Sequence, residues 1–123
     1  MILVTGGTGL VGSHLLYHLV SSGYKVRAIY RKNSDVYAVR DVFALYTRAI
    51  IPLWRKIEWV KADLSDLPAL EHAFIGVEFV YHAAAMVSFH RKDKKALYKT
   101  NVKGTANIVN LSIAHGIKKL CYV

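Results

Sequence analysis

Met1-Ile2-Leu3-Val4-Thr5-Gly6-Gly7-Thr8-Gly9-Leu10-Val11-Gly12 is the stretch that decides the fold. Its apolar start reads as a short strand, its glycines as a tight loop, and Leu10 onward as a helix. Gly6, Gly7, Gly9 and Gly12 fit both G-x-x-G-x-x-G and the nested G-x-G-x-x-G. A missing Cβ permits positive φ in the turn, close approach of backbone amides to a pyrophosphate, and tight packing of helix on strand. The helix start adds unpaired N–H groups and partial positive charge. Strand, glycine loop and helix in that order predict a dinucleotide-binding device. Flavin and nucleotide-sugar sites use related turns. A kinase-type P-loop is excluded, because no Gly-Lys-Ser/Thr follows the glycines.

Beyond this stretch, strands and helices alternate. The pattern predicts strands at Met1–Thr5, Lys25–Tyr30, Ile57–Lys61, Glu78–His82 and Lys118–Val123. Helices are expected at Leu10–Ser22, Val36–Ile50 (whole or in two pieces, closed by Pro52), Pro68–Phe74 and Asp93–His115. Val11, Leu15 and Leu19, widened by Leu16 and Val20, are the expected buried stripe of the first helix. Val36, Val39, Val42, Phe43, Tyr46 and Ile50 form an apolar face that Trp54 extends as a partly buried anchor. Five strands alternating with helices imply an α/β fold, a Rossmann-type doubly wound parallel sheet. Right-handed crossovers and a first loop at the switch point give the expected order 3-2-1-4-5. The chain ends at Cys121-Tyr122-Val123, within or just after the fifth strand.

Among 123 residues, 54% are hydrophobic, enough for one domain with a real core. No apolar run is long enough to span a bilayer, and the N-terminus lacks the basic region of a signal peptide. One cysteine, Cys121, excludes an intrachain disulfide, and a cytoplasmic location is expected. The net charge of +9 is concentrated. Residues 91–103 hold six basic residues (Arg91, Lys92, Lys94, Lys95, Lys99, Lys103) against Asp93. Tyr98 is the one aromatic among these residues, too few for a base-stacking platform, so the cluster reads as a solvated helix face, a contact to an acidic part or an attraction for an anionic cofactor or partner, and no nucleic-acid partner is expected.

The end of the second strand meets the adenosine ribose in this architecture, and NAD-preferring sites place Asp or Glu there. Here Tyr30-Arg31-Lys32 stand instead. Arg31, helped by Lys32, suits a 2′-phosphate, so NADP(H) is the expected cofactor and NAD(H) the alternative; an ordinary solvated basic pair is the plainer account. Asp35 reads as a helix cap. Asp63, just past the third strand, could accept from an adenine amino group or cap the turn that follows, and Leu64 would offer an apolar neighbour. Ala83, Ala84 and Ala85 are small enough for a ribose or nicotinamide to lie against the backbone, and equally suit close packing under the next helix. Ser88 has no evident base partner, so it is not read as a nucleophile. His82, His90 and Cys121 lack metal-site spacing, and no metal is expected.

Together these motifs resemble the extended short-chain dehydrogenase/reductase family, also called the NAD-dependent epimerase/dehydratase family. Thr5-Gly6-Gly7-Thr8-Gly9-Leu10-Val11-Gly12 resembles its cofactor loop and Asp63-Leu64 its adenine contact. His82-Ala83-Ala84-Ala85 with Val87-Ser88-Phe89 resembles its fourth-strand signature, and Asn101-Val102-Lys103-Gly104-Thr105 its N-x-x-G-T helix motif. The resemblance implies that Thr8, Gly9, Leu10 and Val11 line the pyrophosphate loop and that Ala83–Ala85 support the nicotinamide half. It implies that Asn101 supports the active-site region or serves as a structural hydrogen-bonding residue, and that Gly104 and Thr105 pack helix on sheet. Tyr30-Arg31 is similar to the NADP-preferring, dihydroflavonol-4-reductase-like branch. The family's catalytic Ser/Thr and Tyr-x-x-x-Lys have no counterpart in these residues, since no tyrosine here has a lysine four positions on. Residues 1–123 are therefore expected to be the N-terminal portion of an NAD(P)-binding domain, without the catalytic segment or the C-terminal substrate-binding region. The intact protein would be an oxidoreductase or epimerase/dehydratase with a small-molecule substrate, no membrane partner and a homodimer as a candidate assembly. The alternative is a non-catalytic dinucleotide-binding or regulatory module.

Overall fold

A computed structural model of the chain describes residues 1–86 and 88–123. β1 (Ile2–Thr5) leads through the glycine loop into α1 (Leu10–Ser21) and returns as β2 (Val26–Tyr30). A 3₁₀ turn (Val36–Ala38), α2 (Val39–Phe43) and α3 (Ile50–Trp54) precede β3 (Ile57–Lys61). Then follow α4 (Leu67–Ala73) and β4 (Phe79–His82). After a 3₁₀ turn at Arg91–Asp93 come α5 (Lys94–Tyr98), a π-helical segment (Lys99–Gly104), α6 (Thr105–Ala114) and β5 (Lys119–Tyr122). The sheet is ordered β3-β2-β1-β4-β5, all parallel, as the alternating pattern predicts.

Strand alternation builds two cores. Ile2 and Val4 face one side with Val26 and Ala28, covered by Leu16, Leu19 and Val20 of α1 and by Val39 and Phe43 of α2. Leu3, Ile29 and Val80 face the other side, covered by Leu70, Ala73 and Phe74 of α4 and Ile108 and Leu111 of α6. Helices on both faces explain why β1 is buried at every position. Arg27 reaches across β2 to the end of α4, donating to the carbonyls of Ala73 (2.7 Å) and Ile75 (2.6 Å). It thereby serves acceptors that the helix itself leaves unpaired. Its Nε lies 3.3 Å from Glu58, its register partner on β3.

Three local expectations are corrected. The buried stripe of α1 is Gly12, Ser13, Leu16, Leu19 and Val20, whereas Val11 is 52% exposed. The helix turns its smallest residue inward because it lies hard against the loop. Val36–Ile50 takes the divided form of the two expected, with α2 ending at Phe43, but Pro52 does not close it: it sits in the first turn of α3, where a missing N–H costs nothing. The long helix after β4 runs without a gap from Lys94 to Ala114, close to the expected bounds, but it carries a π segment at Lys99–Gly104 that the sequence pattern does not foretell.

The decisive packing is at Gly12. A Cβ there would lie 1.9 Å from the Gly6 carbonyl oxygen and 2.6 Å from its carbon. Gly6 itself has φ of 72°, and a Cβ on it would meet the Ala84 nitrogen at 2.5 Å. Both obstacles are backbone, so no side-chain adjustment relieves them. Gly12→Ala is expected to lower stability by about 1–3 kcal/mol or more in chemical denaturation. Gly9→Ala, whose Cβ would meet only the Gly6 oxygen at 3.3 Å, should cost less. Equal denaturation midpoints for Gly12→Ala and the wild type would contradict this account.

Candidate functional site

The carboxyl ends of the parallel strands open into a cleft of about 300 Å³. Gly6, Thr8 and Gly9 line it from the β1–α1 loop, and Ala83, Ala84 and Ala85 from the end of β4. Ile29, Tyr30, Arg31 and Ser34 enter from β2 and its turn, Ala62, Asp63 and Leu64 from beyond β3, and Thr100 from the π segment. Ten of the residues singled out above are thus brought together. Lys32, Leu10, Val11 and Gly12 are not among the lining residues. Leu10 is 78% exposed, and Gly12 is spent on the loop contact. Ile29, Ser34, Ala62 and Thr100 were missed. Strand-end position could have pointed to Ile29 and Ala62, but nothing in residue type marks Thr100.

α1 begins without a side-chain cap at Gly9 and without an acid in its first turn. Among the described residues, the Leu10, Val11 and Gly12 amides have no recorded hydrogen-bond acceptor, so the helix presents them to an anion. Their contribution comes from backbone and does not depend on where the side chains point.

Asp63 lines the cleft, and of its two expected roles the structure shows the turn cap. Its Oδ1 accepts from the Ser65 amide (3.0 Å) and the Ser65 hydroxyl (2.9 Å). The amide bond is the main reason its carboxyl lies below the ordinary carboxylate value. Partial burial opposes this, while the Ser65 hydroxyl and the charges of Arg31 and Lys99 reinforce it. The cleft therefore holds an ionised carboxylate between two cations.

Asn101 is bound to the loop after β4. Its Oδ1 accepts from the Met86 amide and its Nδ2 donates to the Met86 carbonyl, both at 2.8 Å. A side-chain amide pairing with both backbone groups of one residue fixes the loop that continues the cleft floor. Of the Val87-Ser88-Phe89 motif, Val87 lies outside the described residues. Ser88 has an acidic partner after all: its hydroxyl donates to Asp93 Oδ2 at 2.5 Å and accepts from the His90 amide. This arrangement closes a turn ahead of the helix. Gly104 packs on Leu64, where a Cβ would fall 2.9 Å from the leucine side chain. The lysines and arginine of residues 91–103 are exposed.

His82 is buried at the end of β4, with Nδ1 2.6 Å from Thr5 Oγ1 and Nε2 2.8 Å from Thr105 Oγ1. Burial pushes its pKa below the ordinary histidine value of 6.5. When the pH falls below that ordinary value, the unfolded chain takes up a proton that the folded one resists. The stability contributed at neutral pH is then lost. Denaturation midpoints should fall as the pH drops below about 6.5, and His82→Asn should lose that part of the slope. An unchanged slope in the variant would contradict the assignment.

The chain matches the family described as "NAD dependent epimerase/dehydratase family" over residues 2–123. UDP-glucose 4-epimerase 2 of Oryza sativa subsp. japonica is 36% identical over 126 residues, covering 98% of this chain and 30% of that protein. Dihydroflavonol 4-reductase of Callistephus chinensis is 32% identical over 124 residues, covering 98% and 32%. The crystal structure of Bordetella bronchiseptica WbmG in complex with NAD and UDP superposes with a TM-score of 0.75 at 26% identity, covering 98% of this chain and 36% of that one. The chain thus spans about a third of the length of these relatives. No helix among the described residues is long and apolar enough to cross a membrane. With the sheet order, the glycine loop and the match over nearly its whole length, this chain belongs to the NAD dependent epimerase/dehydratase family.

Proposed function

We propose that residues 1–123 form the nicotinamide-dinucleotide-binding portion of an oxidoreductase or epimerase, and that the intact protein is an NADPH-dependent reductase of a carbonyl substrate. The observation that carries the reading is the cleft at the carboxyl edge, with an uncapped helix start beside it and Arg31 at one end. The Leu10–Gly12 amides and the Gly6–Gly9 loop would receive the pyrophosphate. Leu64 would lie against the adenine, and Ala83–Ala85 would carry the nicotinamide half. The residues fit such a group because the cradle is made of positions where a Cβ would collide with backbone. A bound nicotinamide supplies hydride transfer, and this chain's residues bind and orient it. Solved relatives with bound NAD, WbmG among them, support a nicotinamide dinucleotide as the ligand class.

Two observations bear on cofactor choice. Arg31 in the cleft lining favours a 2′-phosphate, to which a guanidinium makes charge-assisted contacts. Asp63 favours the second reading, NAD(H), because an ionised carboxylate in the same cleft repels a phosphate. We assign the preference to NADP(H) because Arg31 offsets that carboxylate and Lys99 adds a second positive charge beside it.

Calorimetric titration of the full-length protein tests this. Wild type should bind NADPH more tightly than NADH, and Arg31→Ala should weaken NADPH selectively. One lost charge-assisted contact of roughly 1.5–3 kcal/mol corresponds to about tenfold to a hundredfold. Wild-type preference for NADH, or equal weakening of both cofactors, would defeat the assignment. Residues 1–123 expressed alone should show no substrate-dependent NADPH oxidation, since proton transfer and substrate orientation need groups they do not contain. Turnover by a chain whose mass confirms those limits would refute that division of labour.

A further inference from the structure

We propose that His82 is a positioning residue for the dinucleotide cleft: its neutral imidazole clamps the end of β1 to the Ala83–Ala85 floor, and protonation of the ring opens the clamp, so that dinucleotide is held at neutral pH and released in acid. The proposal rests on the reading of the cleft as a dinucleotide site.

The geometry is a chain of hydrogen bonds through three elements. The Ala84 amide donates to Thr5 Oγ1 at 3.2 Å, and the Ala83 amide donates to the Thr5 carbonyl at 3.2 Å. Thr5 therefore holds two successive residues of the cleft floor. Its hydroxyl is in turn 2.6 Å from His82 Nδ1, and His82 Nε2 is 2.8 Å from Thr105 Oγ1 at the start of α6. One proton arrangement serves every member. Thr5 Oγ1 accepts from Ala84 and donates its own hydrogen to Nδ1, while Nε2 carries the ring proton and donates it to Thr105. In the other tautomer, the Thr5 hydroxyl hydrogen would have to turn away inside a site where Thr5 is wholly buried.

Protonation at Nδ1 forces that second situation. The imidazolium donates toward Thr5 Oγ1, the hydroxyl hydrogen is displaced, and a cation is created in a buried site. From β1 and α6 the ring faces the uncharged hydroxyls of Thr5 and Thr105. From β5 it faces Tyr122, with ring centroids 5.7 Å apart. None of these supplies a negative charge at acidic pH, and burial alone accounts for the depressed basicity of the ring.

The consequence reaches the cleft directly. A Cβ built on Gly6 would lie 2.5–2.7 Å from the backbone of Ala83 and Ala84, so loop and floor touch with no slack. Thr5 immediately precedes Gly6. A movement of Thr5 that frees its hydroxyl therefore displaces both walls of the cleft at once.

The test is calorimetric titration of the full-length protein with NAD⁺ and NADP⁺, from about pH 8 to about pH 5. Wild type should bind with steady affinity until the His82 midpoint. Below it, affinity should fall by up to about tenfold per pH unit, for one proton linked to release. NAD⁺ has no 2′-phosphate to titrate, so the same fall with both ligands places the proton on the protein. His82→Leu should weaken binding at neutral pH by about tenfold. His82→Asn, whose amide oxygen can accept from Thr5 where Nδ1 did, should restore most of that loss and flatten the acid fall. Nitrogen-15 NMR of the wild type should find the Nε2–H tautomer at neutral pH, a readout that needs no variant to fold. A wild type that binds dinucleotide without the acid loss, an acid loss that persists in His82→Asn, or an Nδ1–H tautomer overturns this proposal alone. A wild type that binds neither dinucleotide at neutral pH overturns the cleft reading, and this proposal with it.

Discussion

Backbone lies directly on backbone where α1 crosses the end of β1, and the rest of the molecule is arranged around that contact. Gly12 abuts the Gly6 carbonyl, and Gly6 abuts Ala83 and Ala84. Three consecutive layers of chain thus meet with no side chain between them. Such an approach brings the start of a helix down to the level of the strand ends, where its free amides border the cleft. It also removes apolar surface that side chains would otherwise bury. The two cores flanking β1 supply the stabilisation instead, with every β1 side chain buried on one face or the other.

Charge is distributed around this cradle with a definite polarity. The helix start has no acid in its first turn and no capping side chain, so nothing in α1 competes with an anionic ligand. Asp63 is the exception, and it is restrained. Ser65 occupies one of its oxygens twice and is the main reason its carboxyl stays ionised, with smaller help from the charges of Arg31 and Lys99. An acid held in place and bracketed by cations offers a directed acceptor and adds little net negative field. The same cations are what a second phosphate would meet. On the proposed reading, cofactor choice is a balance in which Arg31 at the end of β2 outweighs the Asp63 carboxylate.

Much of this was legible in the sequence. Strand order, the glycine loop and the convergence of Arg31, Asp63 and Ala83–Ala85 follow from period, turn residues and position at strand ends, and each is met in the structure. What was not legible depended on contacts distant along the chain. Val11 looks like a core residue by hydrophobicity, yet α1 turns Gly12 and Ser13 inward because the neighbouring backbone is too close for anything larger. Pro52 reads as a stop, yet it is tolerated in a first turn. The π segment that carries Thr100 to the cleft and Asn101 to Met86 is made of weak helix formers (Thr100, Asn101, Val102, Gly104), but poor propensity alone does not say that the helix widens there instead of ending. Ser88 finds Asp93 only once the chain has turned.

The central claim is that the cleft between the glycine loop and the alanine floor receives a dinucleotide. Hydrogen exchange of individual amides in the full-length protein, with and without saturating NADP⁺, tests it most directly. The account predicts slowed exchange at Thr8 through Gly12 and at Ala84 and Ala85, with the far ends of the strands unchanged. No saturable change, or protection confined to surfaces away from the carboxyl edge of the sheet, would contradict it.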